Sequence, residues 1–186
     1  MNPVLLDFPT EFTTERLIIR MPLPGDGQAV HDAIIHSLPE LKQWMIFAQK
    51  EQSLEVIETN VREAYVNFLK RSDLRLHVFS KETGDFVASS GLHRIDWSIP
   101  KFEIGYWINS SYSGKGYMSE AVQGITDFAV KELKAKRIEI RCDSKNSRSR
   151  AVAERLGYTL EGILRNNAKS VANNDLIDTC IYAKIF

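Results

Sequence analysis

The sequence predicts a single α/β domain built on a mixed sheet, with elements in the order βααβββαβαββ. Three observations carry this. Short β-type runs alternate with helical patterns along all 186 residues. Turn clusters separate them, with no long linker, internal repeat or low-complexity stretch. Hydrophobic residues make up 44% of the chain, enough for one well-buried core and few for two, so residues 1–186 read as one domain.

The elements follow in order. Thr14–Arg20 is a β-type run stopped by Pro22, Pro24 and Gly25, after which Asp26 is placed to cap a helix reaching about His36. Leu38 to Lys70 is helical in pattern and broken near Gln49–Ser53. Leu41, Trp44, Met45 and Phe47 form one apolar cluster there, and Val61, Ala64, Tyr65, Phe68 and Leu69 a second, which predicts two helices. Leu74–Ser80 and Phe86–Ile95 read as a hairpin around the turn-rich Lys81–Asp85. In the next strand, Phe102–Asn109, alternation puts Phe102, Ile104, Tyr106 and Ile108 on one face and Glu103, Gly105 and Trp107 on the other. Met118, Ala121, Val122, Ile125, Phe128, Ala129 and Leu133 recur at helical spacing. Arg137–Cys142 is then a strand, Arg148–Leu156 a short helix ending at Gly157, and Leu160–Arg165 and Leu176–Ile185 the last two strands.

Composition narrows the function classes. The 24 basic and 24 acidic residues cancel, so nothing favours a polyanionic partner, and nucleic acid is not expected. No stretch approaches the roughly 20 apolar residues of a bilayer crossing, which points to a soluble, cytoplasmic protein with no membrane partner. Cys142 and Cys180 lie in apolar runs without Cys or His at ligand spacing, and His31, His36, His77 and His93 show no metal or triad spacing. Buried thiols and no metal are expected.

The segment Ser113-Gly114-Lys115-Gly116-Tyr117-Met118 connects a strand directly to a helix. Two glycines let the backbone turn tightly and approach a ligand, and the free N–H groups and positive dipole end of the helix attract a phosphate. A Walker loop would need Ser or Thr after Gly-Lys, and a Rossmann loop a third glycine, so neither nucleotide motif fits. On spacing alone, a plain turn before a helix is the alternative.

With its flanks, this loop resembles the cofactor loop of the GNAT acetyltransferases, in particular the RimJ/RimL type that acetylates protein N-termini. Thr14–Arg20 is similar to their first strand, Leu41–Met45 to their substrate-side helix, Glu103–Ile108 to the strand along the pantetheine, and Asn146–Tyr158 to their second cofactor motif. The resemblance implies a GNAT fold, with a mostly antiparallel mixed sheet flanked by helices, and acetyl-CoA as cosubstrate without a metal. It implies direct acetyl transfer to a primary amine, in the first place a protein α-amino group. A polyamine or antibiotic acceptor, or a catalytically silent coenzyme A module, is the alternative, and relatives often pair as homodimers. By the same resemblance Tyr106, Trp107 and Ile108 run along the pantetheine, Ser113 to Met118 hold the pyrophosphate, Asn146 touches the pantetheine arm, and Ser149 lies near the sulfur.

The chain departs from that pattern at three places. Ser111 stands where many members have Gln or Arg, Ala153 where many have a tyrosine acid, and Asn166-Asn167-Ala168-Lys169 carries no acid where some have a glutamate base. Glu103, beside Gly105 on the face away from the large apolar residues, is the candidate base, with a solvated or ion-paired carboxylate as the alternative. Ser149 is either the acid or a helix-terminal hydroxyl. Trp44 is either core or a wall of the acceptor site, and His93 and Arg94 are placed to reach the acceptor side.

Overall fold

The computed structural model describes residues 2–186. Its strands are β1 (Glu11–Thr13), β2 (Leu17–Arg20), β3 (Leu74–Ser80), β4 (Phe86–Asp96), β5 (Lys101–Ile108), β6 (Arg137–Asp143), β7 (Thr159–Lys169) and β8 (Leu176–Ile185). They form one sheet in the order β1-β2-β3-β4-β5-β6-β8-β7, antiparallel throughout except between β5 and β6. The helices are α1 (Gly27–His36), α2 (Leu38–Leu41), α3 (Leu54–Leu69), α4 (Tyr117–Leu133) and α5 (Ser147–Arg155).

Strand alternation decides which helix covers which face. Leu17 and Ile19 of β2, Leu74, Leu76 and Val78 of β3, and Ile138 and Ile140 of β6 form one buried layer with Ala121, Val122 and Ile125 of α4. Phe79, Phe86 and Trp107 turn the other way and pack with Val30, Ala33 and Ile34 of α1 and Ile57 and Val61 of α3. Each such aliphatic side chain taken fully out of water contributes about 1.5–3 kcal/mol. The two layers hold the sheet between them.

The parallel pair is short. Lys101–Glu103 of β5 meets Arg137–Glu139 of β6, and beyond that β5 pairs only with β4 and β6 only with β8. The two strands therefore diverge and leave a cleft at their C-terminal ends.

Several elements differ from the sequence expectation. The first run is two strands: Thr14 and Arg16 form a turn because Glu120 of α4 accepts hydrogen bonds from the Thr14 hydroxyl at 2.6 Å and the Arg16 N–H at 2.7 Å. The helix expected around Leu41–Met45 stops after one turn at Leu41, and Trp44 stands in the irregular stretch that follows. Side-chain amides take over the carbonyls there, with Gln49 Nε2 donating to Lys42 O at 2.6 Å and Gln52 Nε2 to Phe47 O at 2.8 Å. β7 runs four residues past Arg165, to Lys169, along β8 through two register shifts.

Asp26 precedes α1 without a side-chain capping bond; its carboxylate instead ties the helix entry to the sheet. It accepts from Arg20 Nη1 and Nη2 at 2.8 and 2.7 Å, from Leu23 N–H at 2.9 Å and from His77 Nδ1 at 2.8 Å. Burial alone would raise its pKa, but the bonds from His77, Arg20 and Leu23 outweigh that and hold it well below the usual carboxylate range. Burial likewise lowers the pKa of His77, so the pair is a neutral imidazole donating to a carboxylate. A folded pKa below the unfolded one stabilises the fold above the unfolded value and loses that stabilisation as pH falls through and below it. Asp26→Asn is expected to cost about 3 kcal/mol at pH 7. The gap between wild type and variant should shrink as pH drops below about 4, read from urea midpoints across pH; a gap independent of pH would contradict the assignment.

Candidate active site

Asn109 N–H donates to Val87 O at 2.9 Å, which sets the phase of the β4–β5 ladder. Gly105 and Trp107 exchange their backbone bonds with β4, whereas Tyr106 and Ile108, beyond the last residue that β6 engages, turn their N–H and C=O groups toward the cleft. Of the three residues expected along the pantetheine, Tyr106 and Ile108 offer it a free backbone edge. Trp107 instead has its backbone engaged by β4 and its ring in the layer under α1 and α3, packed against Phe47 and Phe86 at centroid distances of 5.8 and 5.5 Å.

The loop after β5 has the features of an anion cradle. Gly114 and Gly116 have φ of 75° and 83°, in the left-handed region where any other residue is strained. Nothing stands within 4 Å of a Cβ built on Gly114. None of the six consecutive N–H groups from Gly114 to Ser119 finds a partner among the described residues, and α4 starts without a side-chain cap. Such a row of unpaired donors at a helix N-terminus fits a pyrophosphate.

The loop is braced from behind. Arg16 Nε donates to Glu120 Oε2 at 2.6 Å, its Nη1 to Lys115 O at 3.2 Å, and its guanidinium lies 4.1 Å from the Tyr117 ring centroid. Lys115 Nζ folds back on Ser111 O at 2.8 Å. Ser111 meets His36 Nε2 at 2.8 Å, and Ser110 N–H donates to the buried Ser37 hydroxyl at 2.8 Å, so the end of α1 anchors the loop where many relatives carry Gln or Arg.

Across the cleft, Asn146 caps α5 by accepting from Ser149 N–H at 3.1 Å. The Tyr106 hydroxyl donates to Ser149 O at 3.0 Å and lies 3.1 Å from Ser149 Oγ. Burial pushes the Tyr106 phenol well above its usual range, so it stays protonated as a donor. Burial also pushes the Cys142 thiol up to about 11, partly offset by a hydrogen bond with Ser149. Ser149 thus sits among a phenol, a thiol and the free edge of β5.

A cleft of about 670 Å³ is lined by Glu40, Gln43 and Trp44, by Asp143, Lys145, Asn146, Ser147 and Arg148, and by Ser170, Ala172, Asn173, Asp175 and Ile177. Trp44 and Asn146 share it. Glu103 does not line it; its carboxylate stands 3.6 Å from Arg94 Nε and 3.5 Å from Arg141 Nε, the ion-paired alternative raised from the sequence. His93 does not line it either: its Nδ1 is bound to Asp73 at 2.7 Å and its ring covers Gly105. Arg94 is exposed at the bulge ending β4.

The family described as acetyltransferase (GNAT) domain matches residues 16–159, which takes in the loop, the divergent strands and α5. The chain belongs to the GNAT acetyltransferase family. It is 30% identical over 155 residues, 82% of each chain, to the putative ribosomal N-acetyltransferase YdaF of Bacillus subtilis (strain 168). To the ribosomal-protein-serine acetyltransferase of Escherichia coli (strain K12) it is 28% identical over 149 residues, 80% of this chain and 79% of the relative. In fold it is similar to the RimL ribosomal α-N-protein acetyltransferase solved in complex with coenzyme A, with TM-score 0.86, 24% identity and coverage of 96% and 97% of the two chains. The chain is an acetyl-CoA-dependent N-acetyltransferase with a single mixed sheet in the GNAT arrangement.

Three features of this GNAT site were not visible in the sequence: the Tyr106 hydroxyl, the Arg16–Glu120 brace and the third cleft wall at Ser170–Ile177. Only the Gly-rich loop could have hinted at the brace, since Glu120 stands in the first turn of α4. Two outcomes are expected. Gly116→Trp, filling the cradle, should weaken acetyl-CoA binding at least about tenfold in a calorimeter. Arg16→Ala should raise KM for acetyl-CoA several-fold with kcat changed less, because it loosens the loop and leaves the chemistry in place.

Proposed function

We propose that this enzyme acetylates the α-amino group of polypeptide N-termini. The observation that carries the reading is the acceptor cleft: an open groove of about 670 Å³ between α2, the β6–α5 turn and the β7–β8 turn, with Trp44 and Ile177 as apolar wall. A volume of this order suits the first residues of an extended chain. Carboxylates of Glu40, Asp143 and Asp175 line it together with the cationic side chains of Lys145 and Arg148. A polyamine site calls for carboxylates alone, whereas a peptide offers both an ammonium and carbonyl oxygens. The names of the two relatives, a putative ribosomal N-acetyltransferase and a ribosomal-protein-serine acetyltransferase, support the same acceptor.

In this reading acetyl-CoA lies on the α4–α5 side, its pyrophosphate on the N–H groups of Gly114 to Ser119, its pantetheine along Tyr106 and Ile108, and its thioester beside Ser149. The acceptor approaches from the Trp44 side. The amine nitrogen bonds to the thioester carbonyl carbon, the carbon–sulfur bond breaks, and Ser149, hydrogen-bonded to Tyr106, supplies the proton that the departing sulfur takes up. A backbone N–H of β5 facing the cleft serves the developing oxyanion.

The test is thiol release from acetyl-CoA with an amine panel. Peptides with Ser, Ala or Met N-termini are expected to turn over at least about tenfold faster than spermidine or an aminoglycoside, and N-terminally blocked peptides not at all. Faster turnover of either small amine would reverse the acceptor assignment. Ser149→Ala should lower kcat by about 10- to 100-fold with acetyl-CoA affinity within twofold.

A further inference from the structure

Glu103 is held by two arginines away from the acceptor cleft, and the stretch Asn166–Lys169 carries no acid, so the proton lost by the acceptor amine needs another receiver. β6 supplies one. Alternation sends its consecutive residues Cys142 and Asp143 to opposite sides of the sheet. Cys142 faces α5, with its thiol on Ser149; Asp143 lines the acceptor cleft with Trp44 and Asn146. One Asp143 carboxylate oxygen accepts the Lys145 N–H at 2.8 Å and shapes the turn that delivers Asn146. The other has no protein partner, and among the described residues no arginine or lysine forms a salt bridge with this carboxylate; Arg141, on its own strand, is taken by Glu139 and Glu103. The remaining cleft carboxylates, Glu40 and Asp175, are exposed, whereas Asp143 is half-buried where β5 and β6 diverge.

We propose that Asp143 is the proton acceptor for the incoming amine, directly or through one water. The proposal builds on the transferase chemistry given above and deepens it. The acceptor ammonium gives one proton to the Asp143 carboxylate, which later releases it to solvent. The freed amine bonds to the acetyl carbon as the carbon–sulfur bond breaks. The sulfur takes the Ser149 proton, and the surplus proton on the new amide nitrogen returns through water to Ser149. Coenzyme A thiol, the acetylated amine and one free proton are the products. Ser149 and Asp143 thus serve opposite ends of the reacting group from opposite faces of the sheet. The charged and titratable groups around Asp143 are Lys145 and Arg148 from the turn and α5, Glu40 from α2, Asp175 from the β7–β8 turn, Arg141 on its own strand, and the Cys142 and Cys180 thiols.

The test measures kcat against pH at saturating acceptor, because kcat reports groups in the bound complex and not the titration of the free amine. The amine is whichever of the panel wild type acetylates fastest, so an error in acceptor class leaves this test intact. Asp143→Asn keeps an oxygen for the Lys145 N–H. It is expected to lower kcat about 100-fold and to abolish the acidic limb, with acetyl-CoA affinity within twofold. Asp143→Glu is expected to keep the limb and at least about a tenth of wild-type kcat. Asp143→Asn within threefold of wild type, or with the limb intact, overturns the proposal. So does Asp143→Glu as slow as Asp143→Asn and without the limb, which would leave Asp143 a turn residue. Loss of the limb in Glu103→Gln but not in Asp143→Asn returns the role to Glu103.

Discussion

The site depends on the parallel ladder between β5 and β6 ending at Glu103 and Glu139. Both strands stay fully engaged on their outer sides, β5 with β4 and β6 with β8, so the sheet remains whole while its middle opens. A buried N–H or C=O left unpaired costs about 1–3 kcal/mol, and the open edge therefore persists only where water or a ligand can reach it. Tyr106 and Ile108 carry that edge, and a ligand with amide groups can continue the ladder that β6 abandons. In the proposed reading the pantetheine arm is such a ligand, and the divergence is then a binding device.

Opening the middle of a sheet also gives one ligand access to both faces. The cradle at Gly114 to Ser119 lies at the start of α4 on one side, while Trp44 and the β7–β8 turn meet the Asn146 cap of α5 in the acceptor cleft. In the proposed reading the phosphates and the acceptor are thereby kept apart. The bracing of the loop serves the same end. Glu120 takes the Thr14 hydroxyl and the Arg16 backbone and guanidinium together, joining the first turn of α4 to β1 and β2 at 2.6–2.7 Å. A cradle that approaches a pyrophosphate with backbone alone cannot tolerate much displacement, because each N–H must keep hydrogen-bond geometry. Lys115, the charged residue most prominent in the motif, is turned back onto Ser111 O.

What was legible in the sequence follows from how local each feature is. The strands β3 to β6 and helix α4 were read from alternation and helical spacing within single segments, and the cradle from two glycines opening a helix. The Asn146 cap spans only three residues, yet the sequence reading gives Asn146 as a pantetheine contact and starts the helix at Arg148. Thr14–Arg20 reads as one strand from its own pattern, but its turn is imposed by a carboxylate more than 100 residues away. The segment Leu41–Phe47 has helical apolar spacing, yet Gln49 and Gln52 take its carbonyls and leave Trp44 free to face the cleft. The Tyr106–Ser149 contact joins residues 43 positions apart, so neither residue announces the other. Glu103 was singled out by its strand face, and the face was right; its engagement by Arg94 depends on a bulge at positive φ that no periodicity shows.

The contrast between Glu103 and Asp143 turns on the same geometry. Both point to the acceptor side of the sheet, but Glu103 stands where β5 and β6 are still paired and Asp143 where they have parted. In the closed part, neighbouring strands bring Arg94, Arg141 and Glu139 close enough to satisfy one another, and a carboxylate there completes a charge network. In the open part, β5 no longer lies beside β6 to supply a countercharge and β8 offers Thr179, so a carboxylate keeps an oxygen for whatever enters the gap. The divergence that frees the backbone of β5 for the cosubstrate therefore also frees a side chain of β6 for the amine, and one structural change equips both halves of the reaction.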